Sequence, residues 1–263
     1  MIPYLVITIT ALATSGLTMY SGFGLGTILM PAFALFFPVE AAVAAAAVVH
    51  GANNLFKIIA VGRNADPGLV LRFGLPAIPA ALAGAFTLKY ASDFGVLASY
   101  SLGAHAAEIT PLKLLMAVLI LCFALLELLP RLRGLRFPSK YLALGGVLSG
   151  FFGGLSGHQG ALRSAFLLKT GVTPQAFVGT NAVIGSLVDL TRLAGYGALF
   201  YLTGAGSVLG GEQVPLAAAG IIAAFAGVLV GKRFLRKITM KTVETITGIM
   251  LLGIALALGA GLV

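Results

Sequence analysis

Two glycine-rich breaks interrupt a chain that is otherwise as apolar as a bilayer core. SGFGLGTILMP (Ser21–Pro31) puts three glycines within five residues, then a proline, into an apolar N-terminal stretch, and LSGHQGALRSAF (Leu155–Phe166) repeats the pattern. Glycine and proline are the poorest helix formers, and a backbone facing lipid must satisfy its own N–H and C=O groups. Irregular backbone at membrane depth survives only where it is buried in protein or lines a water-filled cavity. The two breaks therefore predict one central site, where the tips of two helical hairpins meet.

Composition supports that setting. The chain is 59% hydrophobic and 10% charged over 263 residues, with a mean hydropathy of +1.04; soluble domains carry about 25% charged residues. Apolar runs recur from Ile2 to Val263, which predicts one all-α polytopic membrane domain, 1–263. The runs do not alternate as barrel strands would. The net charge of +9 is read as the Lys/Arg bias of cytoplasmic loops, not as a nucleic-acid surface. No Lys or Arg precedes Lys57, so the basic start of a cleaved leader is not expected. The single cysteine, Cys122, rules out an intrachain disulfide and a cysteine metal cluster and reads as a small buried hydrophobe. No cofactor and no metal is expected.

Unbroken spans read as 40–61, 70–90, 111–129, 174–202, 214–231 and 242–262, with broken regions at 3–37 and 141–169. Arg131, Arg133, Arg136 and Lys140 fill one loop, and Lys232, Arg233, Arg236, Lys237 and Lys241 fill another; both should be cytoplasmic. An even number of crossings must lie between them. Spans 174–202 and 214–231 already supply two, so region 141–169 reads as a hairpin that enters from the cytoplasm and returns. The same rule places both termini outside. With Arg63, Arg72 and Lys169, twelve cations then lie inside against Lys89 and Lys113 outside. Each half, 1–130 and 140–263, becomes a broken hairpin plus three crossings. Three is odd, so the second half should be inverted relative to the first, as in many secondary transporters. Weak echoes agree: Gly26 and Pro31 match Gly160 and Ala165, and NNLFK (Asn53–Lys57) overlays VDLTR (Val188–Arg192).

A short helix should begin after each break, near Thr27 and near Ala161. Its first N–H groups lack intrahelical partners and carry the positive end of the helix dipole, which makes an anion site. Neither break ends in the GK[ST] of a phosphate loop. Gly22, Gly24, Gly26 and Thr27 are the candidates from the first tip; Ser156, Gly157, His158, Gln159, Gly160, Arg163 and Ser164 are those from the second. Gly16, Gly84 and Gly227 read instead as packing glycines. His50, Asn54 and Lys57, four and three apart, share a helical face, and Asn181 and Arg192 complete the candidate substrate contacts. Three intramembrane cations, Lys57, Arg163 and Arg192, face one acidic residue, Asp189. Asp189 and Arg192 either meet the substrate or pair with each other. Arg163 falls in the first turn of its helix, the wrong end for a cation, so an anion or an acidic side chain should compensate it. Asp189 and His158 are the candidates for proton coupling. The partners expected are a small anion and the lipid bilayer, with a homodimer allowed and no nucleic acid. A passive anion channel is one alternative; an intramembrane hydrolase using Ser156 or Ser164 with His158 or His50 is another.

GFGLGTILMPAF, VAAAAVVHGANNLFKIIAVGRNADPGLVLRFGLP and GFFGGLSGHQGALRSAFLLKTGV resemble the TauE/SafE (sulfite exporter) family of membrane permeases, over essentially the whole chain. Gly22, Gly24, Gly26 and Pro31 match that family's first-hairpin pattern, with Leu25 where it has glycine; His158, Gln159 and Ala165 depart from its second. The resemblance implies export of small sulfur oxyanions or organosulfonates, such as sulfite or sulfoacetate, linked to the proton gradient across a bacterial-type inner membrane. The residues alone reach only a small anion.

The orientation is testable in a Cys122→Ala background. Cysteines introduced at Ser139 and Thr239 should resist an impermeant thiol reagent applied outside, whereas one at Ser207 should react. Labelling at Ser139 from outside would refute the hairpin reading.

Overall fold

Both breaks separate a longer helix from a shorter one. The computed structural model describes residues 1–21, 25–103, 105–133, 135–202, 209–234 and 240–263. The first hairpin is α1 (Ile2–Ser21) and α2 (Leu25–Ala34), followed by α3 (Val39–Val61). A single turn, α4 (Pro67–Leu69), leads through the π-helical stretch Val70–Gly74 into α5 (Leu75–Ser92). Two strands, β1 (Ala98–Leu102) and β2 (His105–Ile109), precede α6 (Pro111–Leu128) and the short α7 (Pro130–Arg133). The second hairpin is α8 (Leu142–Ser156) and α9 (Gly160–Leu167), followed by α10 (Pro174–Leu202), α11 (Gln213–Phe234) and α12 (Met240–Gly259).

Polar residues set several of these boundaries. Asp66 caps the α4 turn, its Oδ1 accepting from Leu69 N at 2.9 Å, and Pro67 follows it. Thr110 caps α6 through Lys113 N at 3.1 Å, with Pro111 next, where a missing N–H costs nothing. The α8 terminus is Gly157, at φ +84, a left-handed conformation in which glycine carries no Cβ penalty.

Helices over Val39–Asn64, Pro67–Ser92, Pro111–Leu128 and Gln213–Gly231 are long and apolar enough to cross a membrane. The chain is an all-α, multi-pass membrane protein. Large apolar side chains such as Ile59, Phe86, Ile222 and Leu256 point outward, as lipid-facing residues do. Cys122 belongs with them: it is exposed and not the buried hydrophobe expected. The strand pair is a second departure, because residues 98–109 fall between the expected spans 70–90 and 111–129, where no regular element is expected. They form an antiparallel ladder, Ala98 opposite Ile109, which rests on the end of the chain through Glu108 N to Gly261 O at 3.1 Å.

The second hairpin closes on itself. Phe137, just before it, donates its N–H to Ala165 O at 3.0 Å and stacks on Phe166 with ring centroids 4.4 Å apart. The chain therefore enters and leaves the hairpin at one end.

Helix packing comes in matched sets. The first arm of each hairpin lies against a helix of the other half, α1 on α11 and α8 on α5; α3 pairs with α10, and α6 with α12. The return arms pack alike, α2 on α3 and α9 on α10. Small residues make the closest crossings. A Cβ on Gly150 would lie 2.3 Å from Ala77 O, and one on Gly154 would lie 2.0 Å from Ala81 O. The α1–α11 crossing is built in the same way, with Gly227 against Leu12 O and Gly231 against Gly16 O. Gly16, Gly84 and Gly227 thus serve packing, as the sequence suggests; small residues let membrane helices approach backbone to backbone.

Overpacking costs about 1–3 kcal/mol, and more where the obstacle is backbone. Gly150→Ala and Gly154→Ala should each lower the thermal unfolding midpoint in detergent. Gly253→Ala, with nothing within 4 Å of its added Cβ, should leave it unchanged.

Candidate functional site at the junction of the hairpins

The two tips touch. A Cβ on Gly26, in the first turn of α2, would lie 3.1 Å from Gly157 O of the other hairpin and 3.3 Å from His50 Cδ2. Thr27 is buried beside it. Gly22 and Gly24 lie outside the described residues.

A helix that stops in the buried interior exposes its last carbonyls, and α10 adds donors to two of them, Gly153 O, which also accepts from Gly157 N at 3.0 Å, and Gly154 O. Arg192 Nη1 donates to Gly153 O at 3.2 Å, and the Tyr196 hydroxyl donates to Gly154 O. A cation at a helix C-terminus also meets the negative end of the dipole. Ser149 Oγ fixes the turn by donating to Gln159 O at 2.9 Å. His158 stacks on Phe123, centroids 5.1 Å apart, with Nδ1 3.0 Å from Ser156 Oγ. The Ser156 hydroxyl donates to Phe152 O at 3.0 Å, so the imidazole N–H donates to Ser156, the reverse of a nucleophile–base pair.

Asp189 is the centre of the polar cluster and is fully buried. Its Oδ2 accepts from His50 Nδ1 at 2.6 Å and Asn54 Nδ2 at 2.8 Å. Its Oδ1 accepts from Gln159 Nε2 at 2.9 Å and Arg192 Nε at 3.0 Å. Four donors from α3, the second tip and α10 thus converge on an acceptor-only carboxylate. Because His50 Nδ1 gives its proton to Asp189, the 3.2 Å approach of Asn54 Nδ2 to the same nitrogen is a contact between donors. Arg192 Nη2 also lies 2.8 Å from Oδ1, yet its angle makes no hydrogen bond and it has no other partner. Asp189 and Arg192 do pair. The overlaid positions Asn54 and Asp189 meet directly.

Arg163 is equally buried, but both of its hydrogen-bond partners are neutral. Nε donates to Asn181 Oδ1 at 2.6 Å, and Nη1 donates to Gln159 Oε1 at 2.8 Å; Asn181 is held in turn by its own bond to Phe177 O. Gly185 leaves room for this: a Cβ there would lie 2.7 Å from Asn54 Nδ2 and 3.3 Å from Arg163 Nη1. Lys57 is buried on the same face of α3 and feels the Arg163 charge. Gly160 starts α9, and the buried Ser164 Oγ has no partner; nor does His158 Nε2. The sequence thus marked out the cluster's charged members. It missed Tyr196, which a longer count along Asp189's face would have found at i+7, and Ser149 and Phe123, which carry no local signal. Among the described residues no group of three or more His, Cys, Asp or Glu is placed to hold a metal.

Multi-pass helices around a buried, charged junction of two broken hairpins define a membrane transport protein. The chain matches the family model described as sulfite exporter TauE/SafE over residues 7–258. It belongs to that family, and is a membrane transporter of the sulfite-exporter type. No curated protein and no solved structure matches it.

Tyr196→Phe tests how the tip is held. Removing the hydroxyl leaves the buried Gly154 carbonyl unmet and should cost about 1–3 kcal/mol, read as an earlier midpoint in thermal unfolding. An unchanged midpoint would mean that the hydroxyl does not hold the tip.

Proposed function

We propose that the protein is a secondary transporter that exports a small sulfur oxyanion or organosulfonate, such as sulfite or sulfoacetate. The membrane is a bacterial-type inner membrane, both termini lie outside, and transport is coupled to protons through Asp189 or His158. The halves 1–130 and 140–263 are inverted repeats, a reading supported by the matched helix pairs. The anion binds where the tips meet, on Arg163, Arg192, Gln159 and the first N–H groups of α9, with those of α2 approaching from the other side. Gly22, Gly24, Gly26, Gly157 and Gly160 admit it to the backbone, and His50, Asn54, Lys57, Asn181, Ser156 and Ser164 line the approach.

One observation carries this reading. Arg163 is 1% exposed, sits at the positive end of α9 and has only amide partners. Its counter-charge, Asp189, acts on it without a hydrogen bond and is already held by four other donors; a buried cation so weakly matched is costly, and a bound anion reduces the cost. The sulfur chemistry comes from the family alone. A passive channel would conduct without saturation, so saturable flux separates the two.

Binding of sulfite, thiosulfate, sulfoacetate and simple carboxylates to the purified protein tests the site. Charge-assisted hydrogen bonds contribute about 1.5–3 kcal/mol, so Arg163→Ala should weaken binding roughly ten- to a hundredfold. Arg163→Lys should recover only part, since an ammonium cannot grip an oxyanion through two parallel bonds. Gly160→Val should fail by blocking backbone approach with no change in charge. Full-strength binding in folded Arg163→Ala would refute the reading.

A further inference from the structure

We propose that Asp189 is a resident anion that the substrate displaces, so that each bound anion places a proton on the Asp189 carboxyl. This rests on the reading that an anion binds at the hairpin junction, and it specifies how.

The donors an oxyanion needs are already in use. Two point at each Asp189 oxygen: His50 Nδ1 and Asn54 Nδ2 at Oδ2, Gln159 Nε2 and Arg192 Nε at Oδ1. Arg192 Nη1 is committed to Gly153 O. A two-bond grip on Arg192 therefore requires Nε and Nη2, and both lie against Oδ1, at 3.0 and 2.8 Å. Nη2 is buried there without a hydrogen bond, so the guanidinium meets its carboxylate through one good bond, not two. An incoming sulfonate or thiosulfate can offer the second.

Displacement has an electrostatic consequence. Once Arg192 turns to the substrate, Oδ1 keeps Gln159 alone and faces a second anion in a site without bulk water. A proton from solvent that adds to Oδ1 removes the repulsion and supplies an O–H that can donate to the bound oxyanion. When the anion leaves, the proton returns to solvent and Arg192 re-pairs with Oδ1. No other bond forms or breaks. Among the described residues, the charged and titratable groups around Asp189 are His50 on α3, Arg192 and Tyr196 on its own helix and Arg163 on α9. Lys57 feels the Arg163 charge, and His158 is turned to Ser156. His50 is the rival proton acceptor.

Linkage makes the proposal measurable, since an anion that raises proton affinity is bound together with a proton, and the effect is reciprocal. Thiosulfate and sulfoacetate, which stay fully ionised at neutral pH, are titrated into the detergent-solubilised protein by calorimetry, in buffers of different ionisation enthalpy. The wild type should take up about one proton per anion bound. Asp189→Asn should bind either anion without proton uptake and with no pH dependence. His50→Gln, which keeps an N–H for Asp189, should retain uptake even where affinity falls. Binding without uptake in the wild type overturns this inference alone. Uptake that survives in Asp189→Asn, or is lost in His50→Gln, also overturns it. Should Asp189→Asn not fold, because Arg192 is left unpaired, the wild-type stoichiometry and His50→Gln still decide. If neither anion binds the wild type, the proposed function falls and this inference with it.

Discussion

A helix that ends inside a bilayer must find donors for its last carbonyls where no water can supply them. In this protein α8 ends in a turn buried by the rest of the chain, where Gly153 O has a backbone donor in Gly157 N and Gly154 O relies on a side chain. Arg192 and Tyr196, from one face of α10, reach Gly153 and Gly154. Their presence requires α10 to cross close to the tip, which brings Asp189 to the same point. Asp189 then draws His50 and Asn54 from α3 and Gln159 from the turn.

The two buried arginines stand in opposite electrostatic situations. Arg192 sits at the negative end of α8 with a carboxylate beside it, so its charge is met twice. Arg163 sits at the positive end of α9, hydrogen-bonded only to amides and reached by the Asp189 charge without a direct bond. On the proposed reading, one arginine is matched within the protein and the other is left for an anion. Binding energy drawn from such a site comes partly from relief of the burial cost, which favours small, strongly charged ligands over larger neutral ones.

Much of this was legible in the sequence. Proline and a capping side chain mark α6 so sharply that the expected 111–129 became Pro111–Leu128, and α10 runs over Pro174–Leu202 as expected. The charged members of the cluster announced themselves, because ionisable residues inside apolar runs have few bland explanations. What stayed hidden was whatever apolarity cannot encode. Lipid and protein core look alike to a side chain, so nothing told Cys122 that it faces outward, or Phe123 that it faces His158. Tyr196 passed as ordinary apolar helix because its partner is a carbonyl from a broken helix 42 residues away. The strand pair at 98–109 was missed for another reason: each strand has five residues, too few for the alternation of Ala98, Tyr100 and Leu102 with serines to stand out, and the pair rests on Gly261, far along the chain.

The α1–α11 crossing has a consequence in time. Ser15 Oγ donates to Ala224 O at 2.6 Å, a bond between residues 209 positions apart, and the backbone approach of Gly231 to Gly16 lies in the same seam. Chains emerge at about 5–20 residues per second, so roughly 10–40 s pass between synthesis of the two faces. Throughout that interval the first helix has its return arm but not its principal neighbour. A late step of assembly is therefore the docking of α11 along a face made when synthesis had barely begun, with α12 still to follow onto α6.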